Sequence, residues 1–206
     1  MKKVLSFSLV ALLSSGMNAS AQTATGTITI QPKAGINIGT LTDESSSKAR
    51  IGIAAGVEVS YQLASKFGLS TGVMYSQQGT KLDFDKLGWN HERGSYKLDY
   101  INVPVMANFY ITKGLVLKAG LQYGYNINKK IDIKGITADI DEITDAESGK
   151  SISTRKNDLS IPMGVSYEKH GIVLDARYQL GITKIWKRFD DRNFVFQLTV
   201  GYKFKL

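Results

Sequence analysis

The chain of 206 residues contains no cysteine. That absence excludes a disulfide framework, a thiolate metal site and a cysteine nucleophile together. Histidine is nearly as scarce, with only His91 and His170. The strand pattern described below puts these two at opposite ends of the molecule, so no site can use both. Beyond the N-terminal segment no apolar run approaches the roughly 20 residues of a membrane-spanning helix, and no 3.6-residue periodicity of any length is present. Basic residues outnumber acidic ones, 26 to 18, but they are scattered. A nucleic-acid partner, which calls for a basic stripe or patch, is not expected.

What is present begins with "MKKVLSFSLVALLSSGMNASAQ". Lys2 and Lys3, the apolar run Val4 to Leu13 and the small residues Ala19-Ser20-Ala21 form the three parts of a secretory signal. Residues 1–21 are therefore expected to be removed, leaving 22–206 as a single domain that starts at Gln22.

From Thr27 onward the sequence alternates strictly between apolar and polar residues in segment after segment, as strands with two unlike faces do. The last segment, "NFVFQLTVGYKFKL", sets Phe194, Phe196, Leu198, Val200, Tyr202, Phe204 and Leu206 against Asn193, Gln197, Thr199, Gly201, Lys203 and Lys205. The same reading places strands at about 30–39, 51–63, 67–78, 99–111, 115–127, 159–168 and 172–183. That makes eight, each long enough to cross a bilayer at a tilt. Pro104 and Pro162 fall on the polar phase in the contexts "NVPV" and "SIPM", where a missing ladder donor predicts local bulges.

Alternation alone does not say which face is outside, because a soluble eight-stranded barrel alternates with its apolar face inward. Three features decide for lipid outside. Connections alternate between long (40–50, 80–95, 128–158, 184–192) and tight (64–66, 112–114, 169–171), the asymmetry of outer-membrane barrels. Glycine recurs on the polar face, at 35, 52, 56, 68, 72, 120, 124, 164, 181 and 201, where a narrow closed barrel needs room for long neighbours. Aromatic residues gather near the strand ends in two bands. Tyr61, Phe67, Phe109, Tyr167 and Phe204 lie toward the tight turns, and Tyr75, Tyr123, Tyr125, Trp186 and Phe194 toward the loops, as in interfacial girdles. The expected fold is all-β, an eight-stranded antiparallel up-and-down transmembrane β-barrel.

The segments "YINVPVMANFY", "LKAGLQYGY", "LDARYQLGIT" and "FQLTVGYKF" resemble the outer-membrane β-barrel (porin-family, PorT-like) proteins of Bacteroidota, over nearly all of residues 22–206. The ending is also similar to the signal read by the barrel-assembly machinery, with Thr199, Gly201 and the hydrophobic pair Phe204 and Leu206; it departs from the commonest form by closing on leucine rather than an aromatic residue. The resemblance implies an outer-membrane protein with both termini periplasmic. It leaves open a part in secretion-system assembly, adhesion or envelope maintenance.

Eight strands leave an interior that side chains fill. The inward charges Lys33, Glu58, Lys118, Glu168, Asp175, Arg177 and Lys203 have both signs and are expected to pair across the lumen, because an unpaired buried charge is costly. Catalytic, metal and cofactor sites are not expected. Ser95, Asp83 or Asp85 beside His91 would suit a lipid A-modifying enzyme, but no motif supports it. Asp139, Asp141, Glu142, Asp145 and Glu147 could offer oxygen ligands to calcium, yet lack the spacing of a calcium hand. The sequence thus points to a monomeric, non-enzymatic barrel that contacts outer-membrane lipid and displays external loops to an unidentified ligand or protein. Narrow porin-like transport of small solutes and lipid A modification are the alternatives.

Overall fold

The computed structural model describes residues 24–41, 47–83, 93–133, 136–139, 156–183 and 193–206. Every regular element among them is a strand: β1 (Ile28–Leu41), β2 (Ser47–Ala64), β3 (Phe67–Asp83), β4 (Arg93–Tyr110), β5 (Leu115–Ile133), β6 (Ile136–Asp139), β7 (Asn157–Lys169), β8 (Ile172–Gly181), β9 (Asn193–Tyr202) and β10 (Phe204–Lys205). All neighbours are antiparallel, in the order β1-β2-β3-β4-β5-β7-β8-β9. The sheet closes because β1 pairs with β9 from Lys33↔Gly201 to Leu41↔Asn193 and with β10 at Ile30↔Phe204. With β10 continuing β9, the barrel has eight staves. Closure leaves no edge, which is what permits a sheet to stand in hydrocarbon.

The two faces separate as the alternation requires. Ile51, Val73, Val105, Leu121, Leu174 and Val200 are more than half exposed. The alternating partners are buried, and most of them are polar: Gln31, Asn37, Glu58, Ser76, Asn102, Gln122, Asp175, Arg177 and Gln197. An apolar outside around a polar inside is the inverse of a soluble barrel and matches a wall solvated by lipid. The exposed Tyr61, Phe67, Phe109, Tyr202 and Phe204 lie toward the tight turns, and the exposed Tyr123 and Tyr125 toward the loops. Phe194 stacks on Tyr178 with ring centroids 6.1 Å apart. Trp186 lies outside the described residues.

Three expectations need correction. Strands overrun their predicted ends on the loop side: β3 continues to Asp83, β4 starts at Arg93, and β5 runs on to Ile133 before β6 folds back on it through Ile133↔Ile136. Twelve of the 31 residues of the expected 128–158 loop are therefore β-structure. A strand of 18 residues at about 3.3 Å per residue and a tilt of roughly 40° stands about 45 Å tall, against an apolar band of about 25 Å. The surplus projects from the membrane at the loop end.

Proline causes no bulge. Pro32, Pro104 and Pro162 each coincide with a two-rung gap in one ladder, yet the register is the same on either side. Thr71↔Val105 resumes as Met74↔Asn102, and Ala119↔Met163 as Gln122↔Ser160. A missing N–H deletes a bond without inserting a residue, so the pleat stays in phase. The register shifts fall elsewhere, between Ala49 and Ala54, between Gln62 and Ala64, and between Asp99 and Tyr100.

Glycine also acts by a different means than expected. A Cβ on Gly35 would lie 1.9 Å from the Leu198 carbonyl oxygen, and one on Gly120 2.0 Å from that of Val105. These glycines let neighbouring strands coil close together. Gly164 and Gly201 are approached by backbone as well, their Cβ atoms falling 2.5 Å from the Ala176 carbonyl oxygen and 2.6 Å from that of Pro32, and they also make room for side chains, with Arg177 Cγ at 2.9 Å and Lys33 Cβ at 2.8 Å.

Candidate functional site

Five of the seven charges singled out in the sequence meet in the lumen. Lys33 comes from β1, Glu58 from β2, Lys118 from β5 and both Asp175 and Arg177 from β8, so the cluster reaches across the barrel rather than along one wall. Lys33 Nζ donates to Glu58 Oε2 at 2.6 Å, and Lys118 Nζ to Glu58 Oε1 at 2.6 Å and to Asp175 Oδ2 at 3.1 Å. Arg177 donates through Nε to Asp175 Oδ1 at 2.6 Å and through Nη2 to Asp175 Oδ2 at 3.0 Å. Its Nη2 also reaches Glu58 Oε2. Glu58 thus accepts from three cations, and Arg177 grips Asp175 with two parallel bonds, the fork geometry that makes guanidinium pairing strong. Three cations face two carboxylates, all nearly inaccessible to solvent. The other two charges stand apart: Lys203 pairs with Glu168 nearer the tight-turn end and is less enclosed.

Loop-ward of the cluster, neutral amides bridge the staves. Gln122 Nε2 donates to Gln179 Oε1 at 3.0 Å and Ser160 Oγ at 3.3 Å. Gln197 Nε2 donates to Asn37 Oδ1 at 2.9 Å, and Asn37 Nδ2 to Ser76 Oγ at 2.9 Å. Higher still, Thr183 Oγ1 donates to Asp158 Oδ1 at 2.7 Å and Asn128 Nδ2 to Asp99 Oδ2 at 2.9 Å. Asn102 Nδ2 and both amide atoms of Asn126 meet no protein partner. The sequence reading followed charge along the inward phase and missed these polar links, although the residues shared that phase. Asp158, where the sequence predicts the end of a loop, is a buried residue of β7.

The remaining residues do not gather into a site. His170 is exposed in the β7–β8 turn with φ 52°, a left-handed conformation uncommon outside glycine. Asp83 ends β3 opposite Arg93, and Ser95 lies on β4 opposite Lys81; His91 and Asp85 lie outside the described residues. Asp139 ends β6, while Asp141, Glu142, Asp145 and Glu147 are likewise outside them. No group of three metal-binding side chains occurs among the described residues. In the terminal strand Thr199 is buried and Gly201 faces Lys33, whereas Phe204 and Leu206 point outward. Phe204 packs on Tyr202 at 4.8 Å, and Leu206 N donates to Ile28 O at 3.0 Å.

Known proteins of similar sequence and fold belong to the same class of barrel. The family model described as outer membrane protein beta-barrel domain matches residues 20–187. The chain belongs to this family. As an outer-membrane β-barrel it is similar in fold to Ail, the attachment invasion locus protein of Yersinia pestis, at 19% identity and a TM-score of 0.51 over 88% of this chain and 100% of that one. It is similar also to Neisserial surface protein A, at 16% identity and a TM-score of 0.51 over 86% and 97%. No curated protein matches the sequence.

Proposed function

We propose that this outer-membrane barrel is a non-enzymatic, non-conducting anchor, whose sealed lumen makes the wall rigid and whose loops do the binding. The observation that carries this reading is the cluster of Lys33, Glu58, Lys118, Asp175 and Arg177. Its members come from four staves, so a solute would have to break several buried ion pairs to pass. Strands that overrun the bilayer support it too, because they lift the loop end clear of the membrane. In this reading residues 1–21 direct secretion, both termini face the periplasm, and Thr199, Gly201, Phe204 and Leu206 present the assembly machinery with its signal. The narrower likeness to PorT-like barrels favours adhesion, envelope maintenance or secretion-system assembly as the process served.

The test is proteolysis of intact cells. Protease should cut within 140–155, where "DEITDAESGKS" offers a polar target, and spare the 64–67 turn, while the lipid A mass spectrum stays the same with and without the protein. Cleavage in the turn alone would invert the topology, and a changed lipid A mass would turn the reading toward an enzyme.

A further inference from the structure

The tight-turn end of the barrel carries a charge pattern that neither the lumen nor the loops explain. Lys66 lies in the β2–β3 turn, Lys113 in the β4–β5 turn, Lys169 at the β7–β8 turn, and Lys205 on β10 at the seam with β1. All four are exposed. In stave order these are every second junction, so one lysine stands in each quadrant of the rim. Among the described residues at this end the acidic side chain is Glu168, and Lys203 already engages it.

We propose that this rim is a collar for anionic phospholipid, each lysine holding the phosphodiester of a lipid seated against the adjoining wall. The circumferential spacing favours lipid over a protein partner. A docked protein would meet one sector of the rim, whereas the lipid annulus surrounds all four. Height agrees as well. The lysines lie just beyond the outward-facing Tyr61, Phe67, Phe109, Tyr202 and Phe204, and such aromatic girdles mark the interface; the amines therefore stand at the level of the phosphates. The alkyl stems of Lys66, Lys113 and Lys169 can run along the apolar wall while the ammonium groups remain in the headgroup layer; Lys205, which pairs with the buried Thr29, starts on the lumen phase and reaches the headgroups over the rim. A basic residue close to an anionic surface is worth roughly a fivefold gain in lipid partitioning. Because each lipid meets one lysine, the expected preference is of that order and not its fourth power.

The test reconstitutes the full barrel in vesicles of phosphatidylethanolamine with a minority of phosphatidylglycerol, extracts it in mild detergent, and measures the headgroup ratio of the lipid that stays bound. It does not depend on which end faces the periplasm. The unmodified protein should retain phosphatidylglycerol several-fold above its bulk share. A variant with Lys66→Gln, Lys113→Gln, Lys169→Gln and Lys205→Gln should lose that enrichment, and the four Lys→Arg replacements should keep it. A control that removes two exposed charges from the loop end (Lys130→Gln and Lys156→Gln) should also keep it. If the fourfold rim variant does not fold, the pairs Lys66→Gln/Lys113→Gln and Lys169→Gln/Lys205→Gln should each lose about half. Equal retention by rim and loop variants would overturn the proposal. So would selective stripping of the lipid by inorganic phosphate at matched ionic strength, which would mark the rim as a free-phosphate site.

Discussion

Glu58 is the residue on which the lumen cluster turns, and replacing it with alanine separates ion pairing from mere polar filling. Its carboxylate accepts from Lys33, Lys118 and Arg177. Without it, three buried cations share Asp175 alone, and the local excess of positive charge rises from one to two. Removing one partner of a buried pair costs about 3–5 kcal/mol, and the threefold sharing puts Glu58→Ala at the upper end. Lys33→Met acts in the opposite sense. Lys33 bonds to Glu58 and to no other acid among the described residues, so its loss leaves two cations against two carboxylates. The expected cost is within about 1 kcal/mol of zero, since an apolar replacement within a charged cluster is often neutral or stabilising. In the Lys33→Met background, Glu58→Ala should cost less than it does alone. The assay is urea unfolding in lipid vesicles, read by the mobility difference between folded and heated barrel on gels. If Lys33→Met proves as damaging as Glu58→Ala, or if the two effects simply add, charge balance does not govern the cluster.

Two further predictions concern the wall. Leu198→Arg, on an outward position near mid-strand, should lower stability in vesicles by roughly 2–4 kcal/mol, and Tyr202→Arg near the rim by about 0–1 kcal/mol, because the cost of a charge falls with distance from the bilayer midplane; equal losses would misplace the membrane on β9. Gly35→Ala should destabilise by about 1–3 kcal/mol or more, since its Cβ must displace the Leu198 carbonyl from 1.9 Å, and should raise amide exchange along the β1–β9 seam. Gly39→Ala, whose nearest atom is at 3.0 Å, should be milder in both readouts.

The staves were legible in the sequence wherever lipid was the solvent, because hydrocarbon outside and polar packing inside force a two-residue period. Above the membrane that force is gone, and residues of both phases are buried there, as Leu98, Asp99 and Tyr100 are. "NKKIDI" therefore reads as loop although residues 128–133 continue β5. The prolines misled for a related reason: sequence shows the lost donor, but closure of the whole sheet decides whether the chain bulges or merely skips two rungs. Which inward charges meet was not legible either. Lys118 touches Asp175 from a stave two positions away, with β7 between them, and that partnership is set by the stagger of the strands. Phase gave the candidates, and the barrel's geometry divided them into a group of five and the pair Lys203–Glu168. Asn37 and Gln197 carry the inward phase, but phase does not say which neutral residues meet across the seam, and Asp158 was hidden because it falls at the end of a predicted loop.

The sealed lumen is tested most directly by electrical recording of the purified, unmodified barrel in planar bilayers. With Glu58 and Asp175 bridging Lys33, Lys118 and Arg177 across the interior, the expected result is no sustained conductance after insertion. Reproducible, ion-selective steps whose selectivity changes in Glu58→Gln would contradict it and establish a pore.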